Sequence, residues 1–149
     1  MADKKKKKKP ELDLRFSKFG TVSFTATTKV NDFIDYLEQG KVAGTVCRTC
    51  GTKYFPPRAH CYRCLDKAQI EWFEVSGTGK LCTYSELMYA PVGFGEDLPY
   101  MIAVLDYGDY KVFGRIGKVP AEELSLGMEM VTEVNRLPNG QLNYVFNKP

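Results

Sequence analysis

The sequence predicts a mainly β protein built as an N-terminal extension, a short helix, a small metal-bound ribbon and a C-terminal β-barrel. Three observations predict it. Four of the five cysteines fall into two Cys-x-x-Cys pairs, 47–50 and 61–64, inside "CRTCGTKYFPPRAHCYRC". After residue 68, six short apolar and aromatic runs alternate with Gly, Pro, Asn and Asp breaks, which is the pattern of short strands. Between tail and cysteines stands one stretch with helical spacing, "NDFIDYLEQGK". At 149 residues the chain suits one domain, or a small domain beside a mini-domain, and folding buries about 68–70% of the unfolded surface.

Residues 1–30 read as a Lys-rich extended tail, partly disordered or docked on a partner. The lysine block is followed by Phe16, Phe19, Val22 and Phe24, too apolar for a mere linker and too poorly patterned for a regular element. In residues 31–41, Asn31 is placed to cap a helix, Asp32 and Asp35 suit its positive end, and Gly40 closes it. Phe33, Ile34, Tyr36 and Leu37 gather on one side. So short a helix is below the ~12–15 residues that are marginally stable in water, so that side must lie on something.

Residues 42–68 form the ribbon, and residues 69–149 the barrel. The strand runs are "QIEWFEVSG", "GKLCTYSELMYA", "PYMIAVLDYG", "YKVFGRIG", "GMEMVTEVNRL" and "QLNYVFNK". The Asn139-Gly140 pair before the last of them is a strong hairpin signal, and "VPAEELSLG" suits a brief helix or turn. Five or six curving strands with one interruption read as a small closed barrel, of which the OB-fold is the commonest example at this size.

Charge is distributed unevenly. Lys4 to Lys9 alone carry the net charge from −3 to +3. Residues 41–67 hold six basic side chains against Asp66 alone, whereas residues 72–149 hold six against ten acidic ones, a net −4. The lysine run leads into "PELDLRFSKFG" and not into an apolar stretch, so no secretory leader is read. Free thiols at metal-site spacing and the lack of any run long enough to span a bilayer point to the cytoplasm.

Thiolates two residues apart on a tight knuckle present both sulfurs to one ion, and two knuckles complete a tetrahedron. Cys47, Cys50, Cys61 and Cys64 therefore predict a closed Zn2+ site, structural because no position is left for water; iron, as in a rubredoxin site, is the weaker rival. Gly51 can take the positive φ that follows a knuckle. His60 reads as a surface residue, and Cys82, alone in an apolar strand, as a buried small hydrophobe. With one histidine and no Gly-rich phosphate loop, no catalytic set assembles, and the chain is not read as an enzyme by itself.

A helix ending in Gly, then "CRTCGTKYFPPRAHCYRC", "WFEVSGTGKLCTYSELMYAPVGFGEDLPYMIAVLDYG", "VFGRIG" and "LSLGMEM", together resemble the family that joins a rubredoxin-like zinc ribbon to an OB-fold and accompanies thiolases. The resemblance covers about residues 32–149. It implies an accessory subunit in a hetero-oligomer with a thiolase-family enzyme, helping to enclose a CoA thioester. In assemblies with hydroxymethylglutaryl-CoA synthase such proteins bridge the enzymes. Two departures stand out: Tyr62 occupies a position where relatives usually carry Pro, and residues 1–30 extend past the usual start. That extension narrows the resemblance toward members serving one dedicated thiolase, such as that of aromatic breakdown through benzylsuccinate.

Beyond the resemblance, the side chains themselves supply contact candidates. Phe33, Tyr36, Phe55, Arg58, Arg63, Phe94 and Tyr100 are candidates to meet the acyl-CoA or the partner, with Arg48, Lys53, Arg58 and Arg63 as candidates for CoA phosphates. "YAPVGFGEDLPY" is a candidate channel border. The alternative reading is a nucleic-acid-binding module made of OB-fold, ribbon and lysine tail, but an OB-fold that tracks nucleic acid needs a positive groove and the barrel region is acidic.

Overall fold

The helix is the hinge of the architecture. The computed structural model describes residues 11–23 and 27–149; the Lys4 to Lys9 run and Phe24 lie outside them. Helix α1 spans Asp32–Glu38 and buries Phe33, Ile34 and Leu37. It ends in a Schellman turn: the Lys41 amide bonds the Tyr36 carbonyl at 2.9 Å and the Gly40 amide bonds that of Leu37 at 3.0 Å. Asn31 does not cap as expected. Its own backbone is already helical, and its side chain turns back to donate to the Thr28 carbonyl at 2.8 Å.

Strands β1 (Ala43–Cys47), β2 (Lys53–Tyr54) and β3 (Ile70–Glu74) make an antiparallel sheet in the order β2-β1-β3. Strands β4 (Gly79–Leu87), β5 (Tyr100–Asp106), β6 (Lys111–Ile116), β7 (Glu129–Arg136) and β8 (Leu142–Asn147) close a five-stranded barrel in the order β4-β5-β6-β8-β7. Only β6 and β8 run parallel, and the short β4–β7 pairing at Gly79 and Met130 closes the ring. A single 3-10 turn, Ala121–Glu123, fills the β6–β7 connection, and the Asn139-Gly140 turn joins β7 to β8.

The first of the six strand runs joins the ribbon sheet and not the barrel. β3 pairs with β1 along its whole length, from Ala43 opposite Glu74 to Cys47 opposite Ile70. Its two aromatics explain the placement: Trp72 stacks on Tyr36 of α1 with centroids 5.2 Å apart, and Phe73 meets Tyr110 of the barrel edge-on at 4.9 Å. β3 is thus the joint between ribbon and barrel.

One continuous core takes in Phe33, Ile34 and Leu37 of the helix with Leu81, Leu105, Val112, Met130, Leu142 and Phe146 of the barrel. The helix seals the barrel, which answers where its apolar side lies. Phe16 and Phe19, expected to seek a partner, pack here as well, Phe19 meeting Phe33 at 5.6 Å and Tyr144 at 6.2 Å. A 3-10 turn, Arg15–Lys18, carries them. The Arg15 guanidinium pairs with Asp13, Asp32 and Asp35, placing a cation against the acidic first turn of α1. The Gly20 amide then bonds the Leu142 carbonyl at 2.7 Å, so this segment lies along the barrel wall.

Cys82 is exposed, a correction to its reading as a buried hydrophobe. Ordinary alternation accounts for it: Gly79 and Leu81 face inward, so Lys80 and Cys82 face out, and the register shift between Leu81 and Thr83 follows.

Candidate functional site

The four cysteine sulfurs lie within 4.8 Å of one another, with Cys47 and Cys61 buried and Cys50 and Cys64 nearer the surface. Both knuckles are built alike. The amide of Gly51 bonds the Cys47 carbonyl at 2.7 Å, and the amide of Leu65 bonds the Cys61 carbonyl at 3.0 Å. Each of those two residues has positive φ, 74° at Gly51 and 47° at Leu65. The first is a glycine, as the geometry asks. The second is a leucine, the one non-glycine residue with positive φ among the described residues.

A tetrahedron with metal–sulfur bonds of about 2.3 Å has edges of about 3.8 Å, and the Cys50–Cys61 sulfurs are already 3.6 Å apart. The donor set therefore fits one tetrahedral metal ion and leaves no ligand position open. Its surroundings favour thiolate at the buried ligand: the Tyr54 hydroxyl donates to the Cys61 sulfur at 3.1 Å and brings that thiol down to about 6. Tyr54 itself is pushed up to about 12, by burial first and by its bond to Cys61 second. Cys64 moves the other way, to about 12, because burial and the sulfurs around it resist a further negative charge. A bound cation is what allows all four to ionise together.

The metal knuckles hold a loop in place. Buried Thr45 both donates to the Arg58 carbonyl at 2.9 Å and accepts from the Arg58 amide at 2.8 Å, pinning the stretch between the cysteine pairs to β1. From it Arg58 extends over the Tyr54 ring, 5.4 Å from the centroid. Tyr62 meets Tyr54 edge-on at 6.2 Å, and Arg63 donates to the Tyr62 hydroxyl at 3.2 Å. Arg58, Tyr62 and Arg63 therefore stand together on one exposed face.

The other expected contact residues scatter. Phe33 is only 3% exposed and is spent on the chain's own core, which removes it as a contact. Tyr36 covers Trp72. Phe55 is half-buried against Tyr144 at 5.3 Å and Phe33 at 6.4 Å. Arg48 is paired with Glu71, and Lys53 with Asp109 at 2.7 Å, so neither is free for a phosphate.

Phe94 and Tyr100 do come together, about a residue that sequence reasoning passed over. Arg115 lies 3.9 Å from the Tyr100 centroid and 5.5 Å from that of Phe94, and binds Asp97 at 2.8 Å. Thr21 of the N-terminal segment donates to the same Asp97 at 3.2 Å. These residues border a cleft of about 390 Å³ between that segment and the outer face of β5 and β6, lined also by Val22, Leu87 and Phe113. Alternation in "KVFGRI" carried the signal: with Val112, Gly114 and Ile116 inward, Phe113 and Arg115 share the outer face.

A chain that couples a closed four-cysteine ribbon to a five-stranded barrel defines a class. Residues 35–70 match the family model of the ChsH2 rubredoxin-like zinc ribbon domain, and residues 72–134 match that of the ChsH2 C-terminal OB-fold domain. The chain belongs to the DUF35 family, which carries both domains. It is 35% identical over 95 residues to a DUF35 domain-containing scaffold protein of Methanocaldococcus jannaschii, covering 63% of this chain and 67% of that one. A protein of the same description from Pyrococcus furiosus is 31% identical over 96 residues, 64% of this chain and 69% of that one. The solved structure of an Ltp2-ChsH2(DUF35) aldolase shares the fold, with a TM-score of 0.67 at 19% identity, over 82% of this chain and 96% of that one.

Proposed function

We propose that this protein is a non-catalytic accessory subunit and scaffold of a thiolase-type enzyme complex acting on acyl-CoA. The observation that carries the reading is the closed thiol set: four of the five cysteines converge on one metal position with no ligand place left open for chemistry. The ion is Zn2+ in a structural role, held by Cys47, Cys50, Cys61 and Cys64. The curated relatives are named scaffold proteins, and the solved structure that shares the fold is titled as an aldolase with its DUF35 partner, both of which favour a hetero-oligomer.

Two surfaces support the reading. The β4–β5 connection bears Met88, Tyr89 and Val92, at 63%, 90% and 96% exposed, an apolar display that suits a protein partner. The adjoining cleft about Phe94, Tyr100 and Arg115 is apolar with one cationic group, and it is the place assigned to the acyl portion of the thioester. Nucleic acid finds less support, because the N-terminal segment lies across the outer face of β5 and β6 and the barrel region is net −4. No helix among the described residues is long and apolar enough to cross a membrane, and the cytoplasm remains the proposed compartment.

The test is purification of the tagged full chain from its source organism. A thiolase-like protein recovered in fixed ratio, with acyl-CoA turnover that falls when this subunit is stripped away, supports the proposal. Recovery of nucleic acid that survives high salt, or of an enzyme fully active alone, overturns it.

A further inference from the structure

The ribbon's cations divide into two groups. Lys41, Arg48 and Lys53 are neutralised within the chain by Glu74, Glu71 and Asp109. Lys29, Arg58 and Arg63 make no ion pair among the described residues. Lys29 and Arg58, with His60, Tyr62 and Leu65, border a concavity of about 820 Å³ whose described lining includes no acidic side chain, and Arg63 donates to the hydroxyl of Tyr62 on the same rim. Positive charge is therefore concentrated on a described lining that holds no carboxylate.

The same rim holds two large apolar side chains out in water, Tyr62 at 62% exposed and Leu65 at 68%. Leu65 is set there at a double disadvantage. Its backbone sits at φ 47°, in the left-handed region that a Cβ disfavours, at the position where the sister knuckle uses Gly51. A glycine would satisfy the knuckle without strain and without exposing an isobutyl group. Neither the metal site nor the ribbon core gains from this leucine, whereas a binding surface does.

We propose that this ribbon tip, with Leu65 and Tyr62 as apolar anchors beside Lys29, Arg58 and Arg63, docks an acidic surface of the enzyme partner. The inference rests on the accessory-subunit reading and adds to it the face and the chemistry of the contact. Charge complementarity selects an acidic occupant, and the aliphatic anchor selects protein: a phosphate group or a nucleic-acid strand has no use for a leucine at the centre of its site.

The experiment uses the full chain in complex with the enzyme that co-purifies with it. Leu65→Gly is expected to weaken that complex at least about tenfold while leaving the thermal midpoint of the isolated chain unchanged or raised, because the glycine relieves the left-handed strain. Arg58→Glu with Arg63→Glu is expected to weaken it further and to abolish its loss of affinity with salt. A photo-cross-linker replacing Tyr62 should capture an Asp/Glu-rich segment of the enzyme, and one replacing exposed Leu126 should not. Unchanged affinity in Leu65→Gly, or capture of a second copy, a nucleic acid or CoA at position 62, overturns the docking face while the accessory reading stands. If the wild-type chain recovers no enzyme in fixed ratio, both fall.

Discussion

The barrel buries Leu81, Leu105, Val112, Met130, Leu142 and Phe146 behind five strands, while the ribbon's own core amounts to Cys47, Tyr54 and Cys61. The two sheets are thus backed by unequal burial. The barrel has enough apolar side chains to hold its shape by exclusion of water. The ribbon does not, and two of its three core residues are metal ligands, so coordination has to supply what packing cannot. That division teaches where surface can be spent: a metal-held ribbon leaves Tyr62, Arg63 and Leu65 free to point outward.

The largest expected break in this contrast is Cys47→Ala. A structural zinc site contributes about 10–16 kcal/mol of apparent binding free energy, so the variant should lose its metal, by elemental analysis, and its ribbon protection, by amide exchange, while barrel amides stay protected. Metal retained at full stoichiometry would contradict the four-thiolate assignment. Phe146→Ala should do the reverse, lowering stability to urea by about 3–5 kcal/mol with metal affinity unaltered, because Phe146 belongs to the barrel cluster.

Between these lies Tyr54→Phe, which deletes only the hydroxyl that donates to Cys61. Loss of a group that orients a ligand typically costs 10–100-fold in metal affinity, and chelator competition would read it. An unchanged affinity would mean the tyrosine serves packing alone. The smallest effect is expected from Arg15→Ala. Its guanidinium serves three carboxylates but is 37% exposed, so the urea midpoint should barely move and the small change should shrink further in salt.

The four-cysteine cluster was legible because Cys-x-x-Cys spacing is local chemistry, complete within 18 residues. The strand runs were legible for a related reason, since alternation and turn residues act at short range. Partnership was not. That Ile70–Glu74 pairs with Ala43–Cys47, and that Phe16 folds back onto Phe33 and Phe19 onto Tyr144, depends on contacts distant in the chain. Phe33 was expected at a partner surface because an amphipathic helix shows which side is apolar and never what covers it. Cys82 misled because its face follows from its neighbour: with Leu81 turned into the barrel, alternation sends Cys82 outward. Leu65 carried a signal that could be read only backwards: its positive φ becomes evident once the two knuckles are laid side by side.

The outward-facing Cys82 has a practical consequence. Four of the five thiols converge on the metal position, and the fifth, Cys82, faces solvent. A thiol-specific reagent therefore counts occupancy: the loaded protein should titrate as one reactive sulfhydryl and the stripped protein as several. The same residue, on β4 and outside the cysteine cluster, accepts a single fluorophore without touching the ribbon, and so offers a reporter of complex assembly already written into the chain.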